Sequence, residues 1–407
     1  MAGLSTTLPL TPESVRIAYS KIKDHVHRTP LLTSKTLNNI ASTSSSNSNS
    51  APKFNIYFKC ENYQRIGAFK ARGAFHAITH LIEVLGLDEL RRRGVVTHSS
   101  GNHAQALALA ASHFSIPAHI VMPTISTPSK IEGTRTYTDH IYFSGSTSDE
   151  REAVVKEVIN KTGAILIPPY DHPDIILGQG TTALELQEQY NEIKIEKNEK
   201  PKLKLVLTPL GGGGLTSGIC IHFSNQLNVK VIACEPNYQG GNDFEIGFKN
   251  TNPPKRIEKV NTLTIADGLR TPVGEIPWKI FTTTTTTTTT NKTSINNEKK
   301  NLENVFSVSE NQIENSMKLV LERMKVFIEP SGAVSLAVVL YNQEFRQWVY
   351  EEQQKEGGEA WDIVVIFSGG NTTIDAILGI FGNSTDKERE EGIDGLDGKA
   401  TAENVAG

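Results

Sequence analysis

Lys70 stands in "NYQRIGAFKARGAF", behind a flexible Gly67 and a flat Phe69, with small or apolar neighbours on both sides. An amine in such surroundings is partly desolvated, so its pKa falls and it can act as a nucleophile or form a Schiff base. The electrophile that best suits a stable Schiff base is pyridoxal phosphate, PLP. Three other segments fit that group. Ser99 opens "SSGNHAQALALAA" directly after the strand-like "GVVTH". Serine, glycine and asparagine ahead of an alanine-rich helix supply caps, free N–H groups and the positive end of a dipole, which together bind anions. Gly211, Gly212, Gly213 and Gly214 stand between the strand-like "LKLVLTPL" and a helix. Four backbone amides can there face one phosphate without side-chain obstruction. The run is neither a P-loop nor G-x-G-x-x-G, because Thr216 and Ser217 occupy the possible third-glycine positions. Ser368 closes "DIVVIFS" at the carboxyl end of a buried strand, where ligands bind in open α/β sheets.

A second kind of chemistry is written in "ACEPNYQGGND". Glu235 follows a strand and Asp243 lies eight residues on, with glycines between. A short loop can bring two carboxylates and a carbonyl round one hard cation, Mg²⁺ or otherwise Ca²⁺ or Mn²⁺. The absence of cysteine and histidine in the loop argues against zinc.

The elements that must position these groups alternate along the chain. Short β-branched runs ("VVT", "AHIVM", "IYF", "LKLVL") are each followed by a helical pattern. This predicts an α/β fold with mostly parallel sheet and helices on both faces. At 407 residues the chain has room for two domains with sizeable cores. A net charge of −4 gives no basic field for nucleic acid. The three cysteines, Cys60, Cys220 and Cys234, form no disulfide framework or C-x-x-C, which suits a reducing compartment. No secretory signal or membrane-length apolar run is visible, so a cytoplasmic location is expected, with neither nucleic acid nor membrane as a partner. Polar, repetitive or charged stretches at 41–52, 191–202 and 282–301 read as surface insertions unable to order themselves, and 384–407 as a disordered tail.

These motifs, in this order, closely resemble the fold-type II PLP enzymes, the serine racemases and the serine, threonine and 3-hydroxyaspartate dehydratases. The resemblance runs from about Thr11 to about Ile380 and includes "LIPPYDHPDIILGQGTTALE", "TIADGL" and "ERMKVFIEPSGAVSLAVVL". It implies the tryptophan synthase β-like architecture: two open, mostly parallel sheets flanked by helices. A large PLP-binding domain (1–91 and 169–383) then carries an inserted small domain (92–168). It implies that Lys70 carries the cofactor, that Phe69 belongs to the cofactor site, and that Asn102 contacts the ring hydroxyl. Gly211 to Gly214 would cradle the phosphate, and Ser368 would bond the pyridine nitrogen. Ser100 would face Lys70 across the substrate Cα as a second acid/base, or hold the substrate carboxylate with Ser99, Asn102 and His103. Arg151 matches an arginine that reaches an acidic substituent of the substrate. Similar proteins have a shorter metal loop, and the two extra residues here put Gly241 in the carbonyl role between Glu235 and Asp243. A homodimer is implied as well; ATP activation is compatible with the resemblance but is not written in the sequence.

Ser368 carries a message of its own. An aspartate at that place would keep the pyridine nitrogen protonated, whereas a neutral hydroxyl leaves it mostly unprotonated. A carbanion is then less stabilised, which suits reactions where charge leaves quickly, by β-elimination or by reprotonation. The expected activity is dehydration and deamination of a 3-hydroxy amino acid (L-threo-3-hydroxyaspartate, L-serine or L-threonine) to a 2-oxo acid and ammonia, with serine racemisation at the same site. The alternatives are a predominant serine racemase and a catabolic threonine dehydratase. No regulatory domain is expected after the core, unlike the biosynthetic threonine dehydratases. Two readings from other classes are a β-replacement synthase, tested with O-acetylserine and sulfide, and a non-catalytic PLP-binding protein, which would hold the cofactor without turnover.

Overall fold

The computed structural model describes residues 6–43, 51–99, 101–145, 147–289 and 295–391. Residues 1–371 form one compact unit and 372–407 a second. The first unit holds a six-stranded sheet, a four-stranded sheet and a two-stranded ribbon, and the reason for the first is written in its strands. The run "WDIVVIF", Trp361–Phe367, is buried at all seven positions, as a strand covered on both faces must be. It lies inside a six-stranded sheet ordered Leu31–Thr33, Phe54–Cys60, Trp361–Phe367, Leu203–Pro209, Lys230–Pro236, Asn304–Val308. All neighbours pair in parallel except the short edge strand Leu31–Thr33, which is antiparallel. The second sheet has four parallel strands ordered Ile141–Ser144, Ala118–Pro123, Val95–His98, Ile165–Leu166. Helices Asn102–His113, Pro128–Arg135 and Ser148–Thr162 make its crossovers. This is the expected α/β architecture, and the smaller sheet falls within 92–168.

Three helices form the base of the larger lobe: Lys70–Leu85, Pro173–Glu196 and Gly214–Phe223. They approach closely because glycine faces glycine. A Cβ on Gly178 would lie 2.7 Å from the Gly73 Cα, and one on Gly218 would lie 2.4 Å from the Gly180 nitrogen. Beside this crossing sits an ionic network with no exposed side chain. Arg72 donates to both oxygens of Glu61 (2.7 and 2.9 Å) and to both of Glu185 (2.9 and 2.7 Å). Lys59 donates to Glu185 at 2.9 Å and to the Thr29 carbonyl at 2.8 Å. All four charged side chains are 0% exposed. Such a network holds only when every charge is matched and hydrogen-bonded.

Three expectations need correction. The 191–202 stretch is not a surface insertion throughout: helix Pro173–Glu196 runs through its first half. Lys194 there is buried, ion-paired with Asp362 at 2.8 Å and Glu199 at 2.7 Å. The 282–301 stretch forms an antiparallel ribbon, Thr284–Thr289 against Ile295–Lys300. Threonine is β-branched and suits a pleated strand despite its polarity. Lys299 at its end is buried, donating to the carbonyls of Phe223 and Gln226. Finally, the backbone is helical over Ile374–Glu391, into the expected tail, where Lys, Glu and Arg are good helix formers. Residues 44–50, within the 41–52 stretch, lie outside the described residues. Cys60, Cys220 and Cys234 are buried free thiols.

Candidate active site

Lys70 begins helix Lys70–Leu85, immediately after extended Ala68 and the cap residue Phe69. The segment ahead of it is zipped to the end of the central strand. Phe69 N–H donates to the Ser368 carbonyl at 3.1 Å, and Gly370 N–H donates to the Gly67 carbonyl at 2.9 Å. Ser368 and Lys70 are thereby brought together, as the motifs required. The Gly67 φ of +70° and the Asn371 oxygen 2.7 Å from any Cβ at that place explain the glycine. The Lys70 ammonium donates to the Pro169 carbonyl at 2.8 Å and lies 5.2 Å from the Phe69 ring centroid. Burial lowers its pKa to about 8, so a sizeable fraction is a free amine near neutral pH.

The glycine run lies against the next residue of the same segment. A Cβ on Gly212 would lie 2.4 Å from the Tyr170 ring, and one on Gly211 would lie 2.9 Å from the Leu269 Cα. Gly213 has φ +92° and caps helix Gly214–Phe223 without any side-chain hydrogen bond. The helix start thus presents bare backbone amides, and Ser217 Oγ in its first turn is buried without a partner. A desolvated amine, an uncapped glycine helix start and an orphaned hydroxyl fit an aldehyde that carries a phosphate. Pro169 touches the lysine and Tyr170 touches the glycines, so one dipeptide joins the two anchors. Burial, with Asp171 adding, raises the Tyr170 pKa to about 12. Asp171 accepts the N–H groups of Glu275 and Ile276 at 2.9 Å, fixing the next helix, Glu275–Thr282.

The smaller sheet contributes Ser99, after strand Val95–His98, and the start of helix Asn102–His113. Ser99 Oγ accepts the Gly101 N–H at 3.3 Å, and Asn102 donates to Glu329 Oε1 at 2.8 Å. Ser100 lies outside the described residues. His103 is buried, its Nε2 lying 3.4 Å from the Ile167 carbonyl. Burial, with the nearby Lys70 charge, lowers its pKa to about 3, so it packs as a neutral ring and supplies no charge to a carboxylate. Arg151, on helix Ser148–Thr162, lies close enough to His98 and Tyr170 for its charge to favour their deprotonation.

The segment from Glu235 to Asp243 ends in a helix start. Glu235 closes strand Lys230–Pro236, and both its oxygens accept amides, from Phe244 at 3.1 Å and Glu245 at 2.9 Å. Asp243 begins the short helix Asp243–Lys249 and accepts the Val273 N–H at 3.0 Å. Both carboxyls are buried. Burial raises the Glu235 pKa and the Asp243 charge adds to the rise; burial raises Asp243 to about 7. A cation between them would offset both costs. Gly241 packs against the Pro236 and Tyr238 carbonyls. Among the described residues no group of three or more His, Cys, Asp or Glu is arranged to hold a metal.

Pro169, Tyr170, Glu329 and Asn371 carry no residue-type signal that singles them out. The pattern that points to them is the run of motifs containing them, "LIPPYDHPD", "FIEPSGA" and "FSGGN".

The family described as "Pyridoxal-phosphate dependent enzyme" matches residues 22–369. The chain is 36% identical to a serine racemase of Arabidopsis thaliana over 373 residues, 91% of this chain and 96% of that protein. It is also 36% identical to an L-threo-3-hydroxyaspartate ammonia-lyase of Saccharomyces cerevisiae over 357 residues, 87% and 91% of the two chains. The structure of maize serine racemase superimposes with a TM-score of 0.73 at 34% identity, covering 94% of this chain and 99% of that one.

Proposed function

For a chain that belongs to the pyridoxal-phosphate dependent enzymes, we propose PLP-dependent elimination of water from 3-hydroxy amino acids, with racemisation of serine at the same site. The observation that carries it is the desolvated Lys70 amine held by Pro169, beside the uncapped glycine helix start packed on Tyr170. Bound PLP supplies an electron sink that acidifies the substrate Cα–H bond. Lys70 would hold the cofactor through its side-chain nitrogen and, as a free amine, take the substrate Cα proton on one face. The substrate's β-carbon–oxygen bond breaks and the hydroxide leaves as water with a proton that balances the one Lys70 takes from Cα, and the released unsaturated amine takes up water and hydrolyses to a 2-oxo acid and ammonia. The amides of Gly211 to Gly214 hold the phosphate. Asn102 donates to the ring hydroxyl, and Ser368 bonds the ring nitrogen without adding charge. Ser99, Asn102 and the neutral His103 ring hold the substrate carboxylate. Arg151 binds the side-chain carboxylate of 3-hydroxyaspartate.

Ser100 is the proposed proton donor on the second face, and residues 92–168, as a small domain, bring it over the ring on closure. A panel of L-serine, D-serine, L-threonine and both 3-hydroxyaspartate diastereomers, read for ammonia and chirality together, tests the whole reading. In that panel Ser100→Ala should lower racemisation by about a hundredfold, the scale of one acid/base group, while elimination from L-serine survives. Equal loss of both would make Ser100 a binding residue.

Glu235, Asp243 and the Gly241 carbonyl are the proposed ligands of Mg²⁺, with Ca²⁺ or Mn²⁺ as substitutes. The burial of both carboxyls, and the Asp243 charge that raises the Glu235 pKa, support this. A cation bound to the folded state alone stabilises it by about 2.7 kcal/mol at a hundredfold excess over Kd. EDTA should therefore lower the melting temperature, Mg²⁺ should restore it, and Asp243→Ala should lose most of that response. Superimposed melting curves for EDTA-treated and Mg²⁺-loaded protein would remove the site. A homodimer is the proposed assembly and the cytoplasm the proposed location; among the described residues no helix is long and apolar enough to cross a membrane.

A further inference from the structure

Glu329 has no part in the chemistry above. It precedes Pro330 at the start of helix Pro330–Tyr341, yet its side chain does not cap that helix. It is 3% exposed, its Oε1 accepts from Asn102 Nδ2 at 2.8 Å, and its Oε2 is buried without a partner. Asn102 Oδ1 in turn accepts from Asn371 Nδ2 at 2.8 Å, and Asn371 Nδ2 also donates to the Ile66 carbonyl at 2.6 Å. One line of hydrogen bonds therefore joins Ile66, Asn371, Asn102 and Glu329. It ties together the loop before Lys70, the turn after the central strand and the starts of two helices.

The polarity of this line is fixed. Exchanging the oxygen and nitrogen of Asn102 would set its oxygen against a carboxyl oxygen and its NH₂ against the NH₂ of Asn371. Asn102 has two amide hydrogens, and Glu329 takes one of them.

We propose that Glu329 is a positioning residue for the cofactor site, which turns the second Nδ2 hydrogen of Asn102 towards the hydroxyl oxygen of the pyridine ring. The inference rests on Asn102 being the ring-hydroxyl ligand. The hold also responds to pH. Burial raises the Glu329 pKa to about 7. Asp267 adds to the rise, while Lys130, ion-paired to Asp267, opposes it, as do the Asn102 amide and the Asn371 backbone. These charged neighbours come from two other elements, the turn Asp267–Leu269 and the helix Pro128–Arg135. A carboxylate is a stronger acceptor than a protonated carboxyl, so the grip on Asn102 tightens as pH rises through about 7.

The test uses holoenzyme of the wild type, Glu329→Gln, Glu329→Ala and Asn102→Ala. For each, the visible spectrum of bound PLP is titrated across neutral pH and the PLP Kd is measured. Glu329→Ala should weaken PLP about tenfold, the scale of one hydrogen bond, and shift the spectrum in the same sense as Asn102→Ala. Glu329→Gln keeps an oxygen for Asn102, so its Kd should stay within about threefold of wild type. It should lose the spectral inflection near pH 7, a signature that a purely structural residue would not carry. Should Glu329→Ala fail to fold, the inflection in Glu329→Gln decides. A changed Asn102→Ala beside Glu329 variants identical to wild type overturns this inference alone. An unchanged Asn102→Ala overturns the ligand assignment, and the inference with it.

Discussion

Lys70→Ala should abolish elimination and racemisation together, with turnover lowered by at least about 10⁴-fold, the upper range for one positioned base. Both activities should fall because, in the function proposed above, the same nitrogen holds the cofactor and receives the Cα proton. The amine is suited to both tasks by burial, which lowers its pKa to about 8. Its position is fixed by the Pro169 carbonyl and by the zipper between 67–69 and 368–370. Borohydride reduction of the holoenzyme followed by peptide mapping is the direct measurement. The cofactor should be found on the peptide containing Lys70, and an adduct on any other lysine would sink the assignment.

The largest effect on stability should come from Arg72→Ala. Two residues beyond the lysine, this guanidinium makes four short bonds to Glu61 and Glu185 with no solvent exposure. Its loss leaves two buried carboxylates with Lys59 as their remaining cation, at a cost of about 3–5 kcal/mol. Arg72→Lys should recover only part of that, because an ammonium cannot reproduce the planar fork. The exposed pair Arg16–Glu13 is the control: breaking it should cost less than about 1 kcal/mol. Urea unfolding of the apo-proteins reads both. An Arg72→Ala loss no larger than that of the control would show that the network is not what fastens the Lys70 helix.

What could be read from the sequence was local. Gly211 to Gly214 announce themselves because a glycine run between a strand and a helix has few other uses. Ser368 is legible because it follows the carboxyl end of a strand-like run, the side of an open α/β sheet where ligands bind. Lys70 is legible because its neighbours on both sides are small or apolar. The partners of these groups are not local. Pro169 reaches Lys70 across 99 residues, and Glu329 reaches Asn102 across 227. Nothing in either residue's own neighbourhood states that separation. Charge-rich composition misled in the other direction. Lys194 and Lys299 belong to stretches that read as solvated, yet Asp362 and two carbonyls draw them inside. His103 sits in a motif that suggests a ligand, and its burial keeps the ring neutral with Nδ1 unpartnered.

The glycine-on-glycine crossings have a consequence for ligand choice. Lys70 heads one helix and the glycine cradle heads another, and both are pressed without spacer against Pro173–Glu196. Neither helix can slide along that common rail without driving backbone into backbone. The pair behaves as a caliper locked at one setting. A molecule gripped at both ends is therefore measured end to end before any chemistry begins, and one longer or shorter by an atom meets only one jaw. The two helix starts are thereby held at a fixed separation by backbone packing alone.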